Sequence, residues 1–245
     1  MAACCVNNKL KIGFILIMVA IALANIWTSV SAIPVGPNWT YVKNETAATV
    51  SAAKINTTGG SITTMVLNAT TQNLRWKAYV GNVTGSLTLD DAAGFTIYDW
   101  TLSEIVGEVY ATRTPNSINW ARVNCSTSQN ITTEEVAINH TNNPNDNIST
   151  TFNEQKHDAF FVGTVSIAAN GCSSLHTYKN NTNQSADFEE MLLHDGVNMI
   201  YATILENNTM GYTPNQTYDF QMIVPEVALE SWASSTAYYF YVELI

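Results

Sequence analysis

Apolar and polar residues alternate with a period of two along most of this 245-residue chain. Ile62, Thr64 and Val66 interleave with Thr63, Met65 and Leu67. Leu74 to Val80 alternates in the same way, Gly81-Asn82 offers a turn, and Val83 to Leu89 runs back, so this stretch predicts a hairpin. Phe95–Trp100, Gly107–Thr112, Ile118–Val123, Phe160–Ile167, Asn198–Leu205, Tyr218–Val224 and Ala237–Leu244 are further strand candidates. They are rich in the β-branched and aromatic residues that suit a half-buried pleated surface. Asp195-Gly196, between Met191-Leu192-Leu193 and Val197-Asn198-Met199-Ile200-Tyr201, is the sharpest hairpin signal in the chain. About ten short strands at this spacing predict an all-β protein, an antiparallel β-sandwich or jelly-roll-like fold. Helix is scarce. Thr132 as N-cap with Glu135 three residues on forms a capping-box pattern, which predicts one short helix near 133–140, stopped by Asn142-Asn143-Pro144.

The pattern differs at the N-terminus. Lys9 and Lys11 precede an almost unbroken apolar run from Ile12 to Trp27, and Val30-Ser31-Ala32 places small residues before Ile33-Pro34. This is the three-part layout of a secretory signal, with cleavage after Ala32. Two other readings stay open: a retained membrane anchor, since Ile12 to Ala32 is long enough to span a bilayer, and prepilin-type cleavage after Gly13. The chain then divides into residues 1–32 as the signal, 33–53 as an N-terminal extension and 54–245 as a single β domain.

The sequons change the picture most. Thirteen N-x-S/T motifs begin at Asn38, Asn44, Asn56, Asn68, Asn82, Asn124, Asn130, Asn139, Asn147, Asn180, Asn183, Asn207 and Asn215. With 27 Asn in the chain and a Ser/Thr share near one fifth, chance gives about 5. Every one follows Ala32, on the side of the chain that export would place outside the membrane. Charge agrees with an exported surface. The chain carries −10, and loss of residues 1–32 with their two lysines takes it to −12. Charged residues are only 12% of the chain, so Asn, Thr, Ser and attached sugars must supply solubility. An acidic, lysine-poor surface repels nucleic acid and anionic lipid, which excludes both as partners; membrane contact is expected only through an uncleaved N-terminal segment.

Of the four cysteines, Cys4 and Cys5 precede the apolar run, and Cys125 with Cys172 remains as one pair, expected as a disulfide in an oxidising compartment. No C-x-x-C, H-x-x-x-H or C-x-x-C-H spacing is present, so zinc and c-type haem are not expected, nor any other cofactor. Asp90 and Asp91, with Asp99 further on, form a weak Ca²⁺ candidate set against the simpler reading of a β-turn. Lys156-His157-Asp158 and His194-Asp195 set a His beside an Asp, but neighbours on a strand point to opposite faces and form no dyad. Glu104 with Glu108, and Glu189 with Glu190, are the nearest approach to paired carboxylates, and no G-x-S-x-G nucleophile elbow occurs. No enzymatic activity is expected and no catalytic residue is assigned.

Trp76, Tyr79, Tyr98, Trp100, Tyr110 and Trp120 are candidates either for stacking on sugars or for core and cross-strand pairs. The run Tyr238 to Ile245 reads as a strand of the protein's own sheet or as one given to a neighbouring subunit. Ile33 to Ala53 has no hairpin partner nearby and is the better donor candidate.

Several strings carry a resemblance: Asn56-Thr57-Thr58-Gly59-Gly60, Arg75-Trp76-Lys77-Ala78-Tyr79-Val80-Gly81, Leu87-Thr88-Leu89-Asp90-Asp91-Ala92, Ile97-Tyr98-Asp99-Trp100, Gly107-Glu108-Val109-Tyr110-Ala111-Thr112-Arg113, Phe160-Phe161-Val162-Gly163 and Tyr218-Asp219-Phe220-Gln221. The chain resembles a group of secreted archaeal surface proteins without an assigned activity and, more loosely, archaeal donor-strand pilins and threads. The resemblance implies a structural protein of the cell surface that self-associates into a filament or layer. The other expectations are a monomeric or anchored glycan-binding adhesin and a type IV pilin-like subunit that keeps its N-terminal helix.

Overall fold

The computed structural model describes residues 32–115, 118–227 and 235–245. The signal expectation, apart from Ala32, therefore lies outside the described residues. Among the described residues, fourteen strands and two α-helices make the protein mostly β, with every strand pair antiparallel and no closed barrel.

The centre is a six-stranded sheet in the order β14 (Tyr239–Leu244), β4 (Gly107–Thr112), β10 (Met199–Ile204), β9 (Glu189–His194), β5 (Asn124–Cys125), with β8 (Ser174–His176) also on β9. Strands β5 and β8 share one edge of β9 end to end: Cys125 pairs with Leu193, and Ser174 with Met191. The Asp195-Gly196 turn joins β9 to β10 as its sequence predicts, and Gly196 supplies a left-handed φ of 101°. Asp195 Oδ1 accepts from the N–H groups of Val197 and Asn198, which closes the turn.

Both faces of this sheet are covered, so β4 is buried along its whole length, and β9 and β10 along all but their last residues. On one face Val109, Ala111, Leu192, Met199 and Tyr201 pack with Met222 and Val224 of β13 (Phe220–Pro225) and with Ile131, Ile138, Ile148 and Phe152 of the helical region. On the other, Tyr110, Met191, Leu193, Ile200 and Ala202 pack with Phe160, Val162 and Ile167 and with Trp120. Each buried aliphatic side chain contributes roughly 1.5–3 kcal/mol over its exposed state. Continuous burial of this kind is the signature of a sheet with two covers rather than one wet face.

Four predicted elements differ. The hairpin expected over 74–89 does not form. Strand β1 (Trp76–Gly81) pairs instead with β13, Trp76 opposite Pro225 and Gly81 opposite Phe220. Asp219 redirects the chain there: its N–H donates to the Gly81 carbonyl and its Oδ2 accepts from Val83 N. β2 (Ser86–Asp90) then pairs with β3 (Thr96–Thr101). Phe160–Ile167 is two strands, β6 (Phe160–Val162) and β7 (Val165–Ile167), folded about Gly163 at φ 58°. Ile118–Val123 is no strand; Trp120–Arg122 forms a 3₁₀ turn, because Trp120 packs against Tyr110 and Tyr241 with ring centroids 5.2 Å away in each case. Ile62–Leu67 is exposed and in no strand.

The helix starts earlier than its sequence pattern predicts. Helix α1 spans Ser128–Ala137 with Thr127 as N-cap, and the reciprocal partner is Asn130, not Glu135. Glu135 faces inward and accepts from Ser149 N and Oγ at 2.8 Å, tying α1 to the short helix α2 (Ile148–Thr151).

A long N-terminal segment has no such cover. From Asn38 to Leu74 every residue is exposed and none lies in a strand. Its tie to the sheet edge is a bridge between Val35 and Val242 of β14, with N–H···O distances of 3.0 and 2.9 Å. The run Tyr238 to Ile245 thus belongs to the protein's own sheet, as its edge rather than its centre.

Candidate functional site

The sequons lie where sugars can be carried. Asn38, Asn44, Asn56, Asn68, Asn82, Asn124, Asn139, Asn180, Asn183, Asn207 and Asn215 are exposed. Asn139, Asn180 and Asn215 occupy left-handed turns, with φ of 60°, 50° and 63°, a conformation Asn tolerates through local hydrogen bonding. Asn130 and Asn147 are half-buried because each caps a helix. Asn130 Oδ1 accepts from Thr127 N at 2.9 Å, and its Nδ2 lies 3.4 Å from His194 Nε2. Asn147 Oδ1 accepts from Thr150 N at 2.8 Å. That cap uses the oxygen and leaves the amide nitrogen, the atom a glycan joins, outside the bond.

Cys125 and Cys172 are bonded, with Cα atoms 4.8 Å apart. The link ties the end of β5 to the residues just before β8, the two short strands that divide β9's edge between them. Two-residue and three-residue strands hold poorly on backbone bonds alone, so the disulfide fixes both ends of that edge.

A carboxylate pair absent from the sequence expectations lies inside the protein. Glu108 on β4 stands directly opposite Glu243 on β14, and both are almost fully buried. Tyr110 lies between them; its hydroxyl donates to Glu243 Oε2 at 3.0 Å and lies 3.5 Å from Glu108 Oε2. Gly163 N donates to both Glu243 oxygens, at 3.0 and 3.1 Å. Loss of water, then the neighbouring Glu243 charge, pushes the Glu108 carboxyl up to about 8. Burial raises the Tyr110 hydroxyl as well, so it stays a donor. The group can share and hold protons, but its burial closes it to a dissolved substrate. The sequence signal is faint: Glu108 and Glu243 each lie two residues from a Tyr, and only the strand register reveals that they meet.

The other singled-out groups do not converge. Glu104 is exposed while Glu108 is buried. Glu189 Oε2 accepts from Asp158 N at 2.6 Å, whereas Glu190 turns to the opposite face and accepts from Ile223 N at 2.8 Å. Burial drives the Glu190 carboxyl well above the usual range. His157 accepts from Cys172 N through Nε2, with Nδ1 against the Asp158 carbonyl, so it braces the disulfide loop. His194 Nδ1 accepts from Gly196 N and belongs to the turn. Asp91 Oδ1 accepts from Ala93 N and Phe95 N, at 2.8 and 2.9 Å, which makes it a turn former. Among the described residues, no group of three His, Cys, Asp or Glu side chains gathers to hold a metal ion, so Asp90, Asp91 and Asp99 are not brought together as a site. No helix among them is long and apolar enough to cross a membrane.

The aromatic candidates split sharply. Trp76 packs on His140 and Phe152, Tyr79 on Phe240, and Tyr110 with Trp120 and Tyr241. Tyr98 and Trp100 alone of the six remain exposed, edge to face on β3 with centroids 4.9 Å apart. Leu89 pairs across from Tyr98 and Leu87 from Trp100. Residues directly opposite share a face, so β2–β3 presents Leu87, Leu89, Tyr98 and Trp100 together on one side and Ser86, Thr88, Asp99 and Thr101 on the other. All eleven strand positions on β2 and β3, apolar ones included, are exposed.

Compared with known proteins, the chain matches no family model, no curated protein and no solved structure.

Proposed function

We propose that this chain is an exported, N-glycosylated structural protein of an archaeal cell surface, without enzymatic activity, that assembles with copies of itself into an extracellular filament or layer. The proposed mechanism is strand complementation, with residues 33–53 as donor and the remainder as a sandwich-like acceptor body. One observation carries the reading: a compact, two-sided β body is joined to a long N-terminal segment whose apolar side chains, Val42 and Val50 among them, meet water along with its backbone. An ordered chain gains little from an uncovered extended segment, whereas a segment that completes a neighbour's sheet gains both hydrogen bonds and burial there. The exposed sequons and the disulfide suit an oxidising, extracellular setting. Deletion of residues 33–53 leaves folded monomers under electron microscopy and light scattering. Filaments or layers forming at the normal rate from that variant would sink the mechanism.

The exposed Tyr98–Trp100 pair favours a second reading, a glycan-binding adhesin. Saturable glycan binding by a monodisperse protein, lost in Trp100→Ala, separates it from assembly.

A further inference from the structure

The β2–β3 hairpin is the most exposed regular element of the body. Leu87, Leu89, Tyr98 and Trp100 form one apolar face, with exposures of 40, 55, 59 and 48%. Phe95 and Ile97 at its tip are 74 and 80% exposed. A two-stranded hairpin with an uncovered apolar face is marginal in water by itself, and large exposed apolar patches mark sites of interaction. The region also holds no sugar acceptor: no Asn occurs between Val83 and Pro115, in a chain with 27 of them. A surface kept clear of glycans on a sequon-dense protein is one that another surface must reach.

The same chain exposes a second uncovered apolar surface. Val42, Val50, Ile62 and Val66 of the N-terminal segment are 83, 88, 98 and 95% exposed. Val50 lies in the gap between the sequons at Asn44 and Asn56, and Ile62 and Val66 lie between those at Asn56 and Asn68. The two surfaces do not cover each other within one chain. Charge says which goes with which. Residues 33–74 contain Lys43, Lys54 and Glu45, a net +1, while residues 75–245 carry six basic against nineteen acidic residues. The hairpin holds Asp90, Asp91 and Asp99 and no base. Hairpin against hairpin sets three acids against three, which is repulsive; hairpin against the basic segment is attractive.

We propose that the apolar face of the β2–β3 hairpin is the docking surface for residues 38–74 of a second copy of this chain, with Val50, Ile62 and Val66 as the apolar contacts. The contact is heterologous, head to tail, so it propagates into an open chain of subunits rather than closing a dimer. It rests on the assembly reading above and extends it: Val50 falls within the proposed donor 33–53, while Ile62 and Val66 carry the contact beyond it. Thirty-odd extended residues reach about 100 Å, ample to span to a neighbour while Val35 stays on its own β14.

Two full-length variants test it. One carries Leu89→Asp and Trp100→Asp; the other carries Val50→Asp, Ile62→Asp and Val66→Asp. All five positions are exposed, so near-UV circular dichroism should show both folded as wild type. Each variant alone should be monomeric by light scattering, with association at least ~10-fold weaker than wild type. Mixed, they should form a 1:1 pair, since each keeps the half the other lacks. Filaments from either variant alone would overturn this contact while leaving the filament reading intact. Two monomeric variants that do not pair when mixed would overturn the head-to-tail contact, and a segment variant that still self-associates would show hairpin against hairpin instead. A wild-type protein that stays monomeric at every concentration, or that binds only a glycan, would overturn both proposals.

Discussion

Glu108 and Glu243 face each other across β4 and β14, inside the protein, with the Tyr110 hydroxyl as the hydrogen-bond donor between them. Two carboxylates so placed resist double ionisation, and the folded chain holds a proton at Glu108 up to about pH 8. In an unfolded chain the same group loses it near the ordinary Glu value of about 4.3. Between those limits the folded state binds more protons than the unfolded one, so stability is greatest below the unfolded value and declines as pH rises through the folded one. Glu190 and Glu206, both raised by burial, act in the same direction. Wild type should therefore lose ~2 kcal/mol or more between about pH 5 and about pH 9 in denaturant titrations, and Glu108→Gln should lose clearly less. Identical pH slopes for the two proteins would show that Glu108 does not hold the proton.

The Cys125–Cys172 bond closes 47 residues of sequence and anchors both strands on β9's outer edge. Cys172→Ser, or reduction of the wild type, should cost about 3–4 kcal/mol and lower Tm in calorimetry. Because β5 and β8 are so short, hydrogen exchange should rise first in residues 173–176 and 124–126. Unchanged protection there after reduction would mean that β9 holds its edge strands without the link.

Arg113 grips Glu134 with two parallel bonds, Nε to Oε1 and Nη2 to Oε2, each 2.7 Å. Glu134 is buried, so removing the arginine strands a carboxylate away from water. Arg113→Ala should destabilise by ~2–3 kcal/mol, and Arg113→Lys should recover only part of that, because an ammonium cannot form the two-pronged geometry. Full recovery by lysine would show that charge alone matters.

Asn147 has two separable jobs, cap and sequon. Asn147→Asp should keep the α2 cap and remove one glycan, seen as a single-glycan drop in intact mass with little change in Tm. Asn147→Ala removes both and should cost ~1 kcal/mol more. If both variants lose equal stability, the sugar rather than the cap is the stabilising group; if neither loses mass, the sequon is not used.

Local chemistry wrote a good share of this protein. Asp195-Gly196 turns the chain because its own side chain and backbone suffice, so β9 and β10 were readable by eye. Period-two alternation located most strands, and the two later cysteines found each other as expected. Pairing between distant segments was another matter. Nothing local at Trp76–Gly81 announces β13 as its partner, since the choice depends on Asp219 capturing Gly81 and Val83 and on a core face shared with β10. The encounter of Glu108 with Glu243 depends on a register that a one-residue slip would abolish. The exposure of Leu87, Leu89, Tyr98 and Trp100 is equally a tertiary result: the alternation marks a face to be covered, and only the folded chain shows that its own body does not cover it. Sequence specifies what each strand offers its neighbours, while packing, which sums burial over residues far apart in the chain, decides which neighbour it meets.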